Sequence, residues 1–209
     1  MRIAVFGAFG QTGRAVCEEA LDRGHAVTAH IPPEAEFSIE ADGLTIVRGD
    51  VYNGEGVEAA VTDAEAVVNV LGKRRGSPSD LLSVAGEHVL SAMAAEGIDR
   101  YVVLLGTGVR ANGESGSLSE RVMRMLLKLL AQDVLADSTG HARRVQASNL
   151  DWTIVRVSRL VDQEPIGRYR IGDIQSGVVG INRADVAMCL IDRVEADDFI
   201  ASMPTVDHG

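Results

Sequence analysis

A chain of 209 residues, 46% hydrophobic and 24% charged, is the size of one soluble domain and can bury a core without metals or disulfides. Its formal net charge of −10 opposes the phosphates of nucleic acid and argues against a nucleic-acid partner. Cys17 and Cys189 fall in segments that read as helices without C-x-x-C spacing, so they are expected as free, buried thiols in a reducing, cytoplasmic setting.

The apolar run Ile3-Ala4-Val5-Phe6 lies in a first predicted strand, Arg2–Phe6, and no signal peptide is expected ahead of it. It leads into Gly7-Ala8-Phe9-Gly10-Gln11-Thr12-Gly13 and a helix over residues 11–23, stopped by Gly24. A buried strand, a glycine-rich turn and a helix start together present free backbone N–H groups and a positive dipole end to an anion. The pyrophosphate of a dinucleotide fits that description. Gly7 is expected to make the turn, Gly10 to admit the phosphates and Gly13 to let the helix pack closely on the strand. The G-x-x-G-x-x-G spacing differs from the G-x-G-x-x-G of ordinary dehydrogenases.

Strands and helices then alternate, which predicts an α/β fold, a Rossmann-type doubly wound parallel sheet with helices on both faces. Strand two covers residues 26–31 and ends at Pro32-Pro33. Strand three covers 44–48 and reaches Gly49-Asp50, with a short helix over 54–62. Strand four covers 66–71 and ends at Gly72, and Ser77-Pro78-Ser79-Asp80 is expected to cap a helix running to about residue 96. Strand five covers 101–105. A polar, glycine-rich loop over 106–119 precedes a helical region over 120–147, expected to break near Ser138-Thr139-Gly140. Strand six covers 152–157. After it come a turn at 165–167, a short strand at 168–171, a helix capped by Asn182 and running to about residue 193, and a closing strand at 199–202. Residues 1–209 read as one domain, with 157–209 as the smaller, substrate-side portion. The most apolar helical stretch, 122–130, carries Arg124 and Lys128 and is too short to cross a bilayer, so no membrane contact is expected. Its many apolar sides suit core packing, or a lid over an apolar substrate.

The opening glycine motif, Val47-Arg48-Gly49-Asp50-Val51, Val70-Leu71-Gly72, Asp151-Trp152-Thr153-Ile154-Val155-Arg156 and Asn182-Arg183-Ala184-Asp185-Val186-Ala187 together resemble the atypical short-chain dehydrogenases. The resemblance is to the NAD(P)-binding proteins grouped with flavin reductase/biliverdin reductase B and with the NmrA-like proteins. It implies a bound NAD(P)H, held by Gly7 to Gly13, with Asp50 and Val51 beside the adenine and Val70, Leu71 and Gly72 beside the adenosine ribose. His30 belongs to the same cofactor side. Read from the residues alone, Asp50 also suits a plain helix cap.

No tyrosine has a lysine four residues after it, so the Tyr-x-x-x-Lys pair of many short-chain dehydrogenases is absent. The resemblance implies a hydroxyl just after strand five instead, and alignment puts Thr107 there, although one register earlier the hydroxyl is missing. A threonine at a strand end equally serves local backbone. Arg159 stands where relatives carry a substrate-side histidine and is expected to attract an acidic substrate, or to form a surface ion pair. His141 reads as a solvent-facing helical histidine.

The sequence therefore implies an NAD(P)H-dependent reductase acting on a flavin or other conjugated small molecule, with Thr107 and Arg159 at the reacting end. The alternative is an NmrA-like redox sensor that binds the dinucleotide without turnover. Monomer and homodimer are both compatible with the chain. Pro32 stands where relatives place an arginine for the 2′-phosphate of NADP, and no carboxylate replaces it; Arg14, or one of Lys73, Arg74 and Arg75, is left to supply positive charge, which implies weak discrimination between NADH and NADPH.

Overall fold

A computed structural model describes residues 1–109, 132–174 and 180–208. The 122–130 helix and most of the 106–119 loop expected from the sequence lie outside the described residues. Strands β1 (Arg2–Phe6), β2 (Ala26–Ile31), β3 (Leu44–Arg48), β4 (Ala66–Asn69), β5 (Arg100–Gly106) and β6 (Asp151–Val157) form a parallel sheet in the order β3-β2-β1-β4-β5-β6. Late in the chain come β7 (Leu160–Val161), β8 (Arg170–Gly172), β9 (Ile181–Asn182) and β10 (Thr205–Asp207). β10 extends the sheet in parallel beside β6, and β8 closes the edge antiparallel to β10. β7 and β9 pair separately, a small sheet that the residue pattern does not reveal.

Alternate residues of the inner strands point to opposite faces, and both sets are apolar because helices cover both. Ile3, Val5, Ala29, Ile31 and Val102 pack against α1 (Gln11–Asp22) and α5 (Arg183–Glu195). Ala4, Phe6, Val67, Tyr101 and Ile154 pack against α2 (Val57–Val61), α3 (Leu81–Glu96) and α4 (Gln132–Ala147). Cys17 and Cys189 are free and buried as expected, and burial pushes both thiols up to about 12, which keeps them unreactive.

Several local expectations are corrected. The closing strand is Thr205–Asp207, not 199–202, because Phe199 and Ala201 take left-handed φ values of 57° and 52° that a strand cannot hold. α4 runs unbroken through Ser138-Thr139-Gly140, since the Ser138 and Thr139 hydroxyls donate to the carbonyls of Val134 and Leu135 within the helix. Asp80 makes no side-chain cap on α3, and a carboxylate from another helix takes that place. Asn182 does cap α5, accepting from Ala184 N–H at 2.7 Å.

His141 is not solvent-facing. It is 1% exposed, with its ring against Gly86 of α3, where a Cβ would stand 2.1 Å from Nδ1. Glycine at 86 is thus a space requirement, and it lets α3 and α4 approach closely. Neither ring nitrogen has a hydrogen-bond partner among the described residues.

Burial, aided by the Arg144 cation and opposed by Asp137, pulls the His141 pKa down to about 4. The unfolded chain then takes up the proton first as pH falls, which draws molecules out of the folded state. Stability is expected to decline between pH 6.5 and about 4, by an amount on the order of 3 kcal/mol attributable to this residue. Urea midpoints measured across that window for wild type and His141→Leu check it: the variant's profile should be the flatter, and parallel profiles would refute the assignment.

Candidate functional site

The strand order reverses between β1 and β4, and the loops that leave the two strands there part to form a crevice at the carboxyl edge of the sheet. A cleft of about 1140 Å³ occupies that place. Residues at the carboxyl ends of strands β1 to β6 line it: Gly7 after β1, Pro32 after β2, Asp50 after β3, Val70 after β4, Gly106 on β5 and Ser158 after β6. That volume exceeds the range usual for a drug-sized ligand, roughly 300–1,000 Å³, and suits an extended molecule with a second one beside it.

The glycine turn is built as its spacing predicts. Gly7 has φ +83°, and a Cβ there would press on the Val70 carbonyl at 2.8 Å. At Gly13 a Cβ would stand 2.1 Å from the Gly7 carbonyl oxygen, so only glycine lets α1 begin directly over the end of β1. Gly10 meets nothing nearer than the Gly7 carbonyl oxygen at 3.3 Å, which leaves its cleft side open. Phe9, Gln11 and Thr12 line the cleft with the three glycines, whereas Ala8 is fully buried behind the turn.

On the β2–β3 side, His30, Asp50 and Val51 line the wall, as do Val70, Leu71 and Gly72 in the loop after β4. His30 Nε2 donates to the Glu55 carbonyl at 2.8 Å, and burial lowers its pKa, so it stands neutral. Both readings of Asp50 hold in its geometry. Its carboxylate accepts from Tyr52 N–H and Asn53 Nδ2, each at 2.9 Å, capping a short turn while the residue lies on the cleft wall.

The opposite end is formed by Gly106, Val157, Ser158, Arg159, Leu160 and Arg183. Arg159 is exposed and forms no ion pair among the described residues, while Arg183 is bonded to Asp162. Thr107 is not on the wall, and its backbone N–H donates to the Val157 carbonyl at 3.0 Å. Tyr101 is buried and accepts from Asn69 Nδ2, and Tyr169 is bonded to Asp192, which leaves Tyr52 as the one tyrosine on the cleft wall. Its hydroxyl donates to Asp80 at 3.2 Å.

Sequence reasoning missed a polar cluster here. Lys73, on the wall, sits 3.5 Å from the carboxylate of Asp137 on α4. That carboxylate is buried, and its two oxygens accept from Leu82 and Ser83 N–H at the start of α3, each at 2.9 Å. A pairing across 55 residues leaves no local spacing signal.

The model of a family described as NAD(P)H-binding matches residues 7–197. An uncharacterized chloroplastic protein of Arabidopsis thaliana is 28% identical over 79% of this chain, and the photosystem II assembly factor Ycf39 of a Synechocystis strain is 26% identical over 94%. The chain spans only 61% and 59% of the lengths of these two relatives. Among solved structures, ChuY, an anaerobilin reductase from Escherichia coli O157:H7, superposes with a TM-score of 0.78 at 21% identity. That match covers all of this chain and 97% of ChuY, and it shows a shared fold.

Asp137 joins α4, α3 and the Lys73 side of the cleft, so its removal should be felt in stability. Asp137→Ala is expected to cost about 2–3 kcal/mol, from two charge-assisted hydrogen bonds at a helix start and an ammonium left without its counter-ion. Denaturant unfolding measures this, and a cost below about 0.5 kcal/mol, the size of an ordinary surface change, would contradict the capping role.

Proposed function

The chain belongs to the NAD(P)H-binding family, in keeping with the atypical short-chain dehydrogenases its sequence resembles, and from that premise we propose that it is a reductase. It passes hydride from NAD(P)H to a flavin or other conjugated small molecule that carries an acidic group. The observation that carries this reading is the cleft at the ends of strands β1 to β6, with the glycine turn on one wall and, on another, Arg159, which forms no ion pair among the described residues.

Gly7 and Gly13 fit a pyrophosphate, because they bring the first N–H groups of α1 to the cleft without an intervening Cβ. Asp50, Val51 and His30 hold the adenine side, and Val70, Leu71 and Gly72 the ribose. The reduced nicotinamide supplies the hydride when bound, so the protein's work is to bind, orient and exclude water. Gly106 and Ser158 give the reacting end close backbone approach and a hydroxyl, and Arg159 draws the acidic acceptor into position. Thr107 stands next to Gly106 and is proposed to contribute its hydroxyl from the rim. Support from relatives is coarse: a neighbour in fold, ChuY, is named as a reductase.

One observation favours a second reading, a dinucleotide-binding sensor without turnover. The two groups on the wall that could form a proton-transfer pair are committed elsewhere, Tyr52 to Asp80 and Lys73 to Asp137. Following NAD(P)H oxidation in the presence of flavins and quinones separates the two, since a sensor binds and leaves the cofactor unconsumed.

Two variants test the reductase. Gly10→Val should fold, because Gly10 has φ −70° and a Cβ there meets only the Gly7 carbonyl oxygen, a close 3.3 Å contact that a shift of a few tenths of an ångström relieves, yet lose NAD(P)H binding as the side chain fills the phosphate approach. A folded Gly10→Val protein with unchanged affinity would remove the turn from the site. Arg159→Ala should raise KM for an acidic acceptor about fivefold while leaving KM for NAD(P)H alone. Steady-state kinetics with an acidic and a neutral acceptor check this; equal effects on both would assign Arg159 no part in recognition.

A further inference from the structure

Two guanidinium groups flank one aromatic ring at the edge of the cleft. Arg14, in the first turn of α1, holds its central carbon 5.5 Å from the centre of the Phe9 ring, and Arg74, on the loop after β4, holds its own at 4.6 Å. Phe9 and Arg74 line the cleft, as do Pro32 and Pro33 at the end of β2. Like charges gathered on one ring repel, and in a protein of net charge −10 carboxylates to neutralise them are plentiful. Neither arginine uses one: no ion pair forms between Arg14 or Arg74 and any carboxylate among the described residues.

Arg14 is fixed by neutral acceptors. Its Nε donates to the Phe9 carbonyl at 3.3 Å, and its terminal nitrogens donate to Ser38 Oγ at 2.7 Å and the Glu36 carbonyl at 2.9 Å. The Phe37 ring lies 5.0 Å from the same guanidinium. The cation is therefore positioned without being neutralised, and part of its donor fork stays available. The side chain of Arg74 is exposed and donates no hydrogen bond among the described residues.

In a Rossmann-type fold the 2′ position of the adenosine ribose lies near the end of the second strand, about 20 residues beyond the glycine turn. Proteins that take NAD place a carboxylate there to accept from the 2′-hydroxyl. Here Pro32 and Pro33 occupy that stretch, and the next carboxylates, Glu34 and Glu36, are not on the cleft wall. Arg74, on the cleft wall, comes from the loop after β4, and Arg14, from α1 and just behind that wall, reaches the same edge through the Phe9 ring they share. A planar guanidinium matches a phosphate with paired hydrogen bonds.

We infer that Arg14 and Arg74, arranged about Phe9, form the receptor for the 2′-phosphate, so that this chain takes NADPH in preference to NADH despite lacking an arginine at Pro32. The inference rests on the dinucleotide reading above and deepens it by naming the cofactor. It shifts the expectation from weak discrimination to a preference set by residues outside the second strand.

Titration of the whole protein with NADPH and with NADH, by quenching of Trp152 fluorescence or by calorimetry, gives the test. Wild type should bind NADPH at least about tenfold more tightly than NADH, with the difference shrinking as salt is raised. In Arg74→Ala and in Arg14→Gln the ratio of the two affinities should fall toward one through loss of NADPH binding. Equal wild-type affinities, or variants that weaken both cofactors to the same degree, would overturn the assignment. Binding of NADH with no preference for NADPH sinks this inference alone, whereas binding of neither cofactor sinks the dinucleotide reading with it. Arg74 is exposed, so its alanine variant is expected to fold, and a melting curve verifies that before titration.

Discussion

Everything at the cleft depends on one close contact, the approach of Gly13 to the carbonyl of Gly7. A single Cβ at position 13 would overlap that oxygen, standing 2.1 Å from it. Because the contact exists, α1 starts over the end of β1, its unpaired N–H groups open onto the crevice, and its buried face, including Val16, Cys17 and Ala20, seats on the sheet. α5 packs beside α1 in the same core, and Asn182, Arg183 and Asp185 at its start hold the segment after β6 through Gln163, Asp162 and the backbone of Ile166 and Gly167. The glycine turn thus also sets the position of the wall that carries Arg159.

Charge is distributed unevenly around that frame. Several carboxylates are engaged away from the cleft: Glu19, Asp192 and Glu195 surround Arg23 between α1 and α5, and Asp185 is buried under the 165–167 turn. The cleft wall, by contrast, carries Lys73, Arg74, Arg159 and Arg183, with Asp50 as its acidic member. An anionic ligand therefore finds local positive potential on a negatively charged protein, and other polyanions are repelled at longer range. The inference about nucleic acid drawn from net charge and the inference about the cleft drawn from its wall are compatible because screening limits each to its own distance.

The parts of the fold readable from sequence are those encoded locally. β1, β2 and β3 stand at the bounds their apolar runs predict, and the roles assigned to Gly7 and Gly13 follow from spacing because each glycine answers a contact within its own turn. What the sequence hid is encoded by tertiary partners. Asp80 looks like the cap of α3, but Asp137 supplies it from α4; His141 looks like a surface residue until Gly86 is seen to make room for its ring. Phe199 and Ile200 suggest a strand at 199–202, but Phe199 and Ala201 stand on left-handed backbone, and Thr107 sits one residue beyond the wall. In the site, the strand ends are legible and Arg14, Lys73, Arg74 and Arg75 stand out as candidate cations, but which of them gather at the cleft edge and which is tied to a carboxylate follows only from Phe9 and Asp137.

The pairing of α3 with α4 gives the cleft a second, independent support. Gly86 and Gly140 remove side chains from the interface, the latter facing Ser83 Oγ, and Ser83 in turn donates to the Asp137 carbonyl. The helices approach closely enough for one carboxylate to cap its neighbour and pair with Lys73. A buried ion pair of this kind gains little net stability, because desolvating both charges offsets most of their attraction. Its effect is geometric: with the ammonium tied to Asp137 and to the Ser79 carbonyl, Lys73 has little freedom to act as a mobile proton carrier. Chemistry in this cleft consequently falls to whatever is bound there, and the chain's contribution is a rigid wall with cations at both ends.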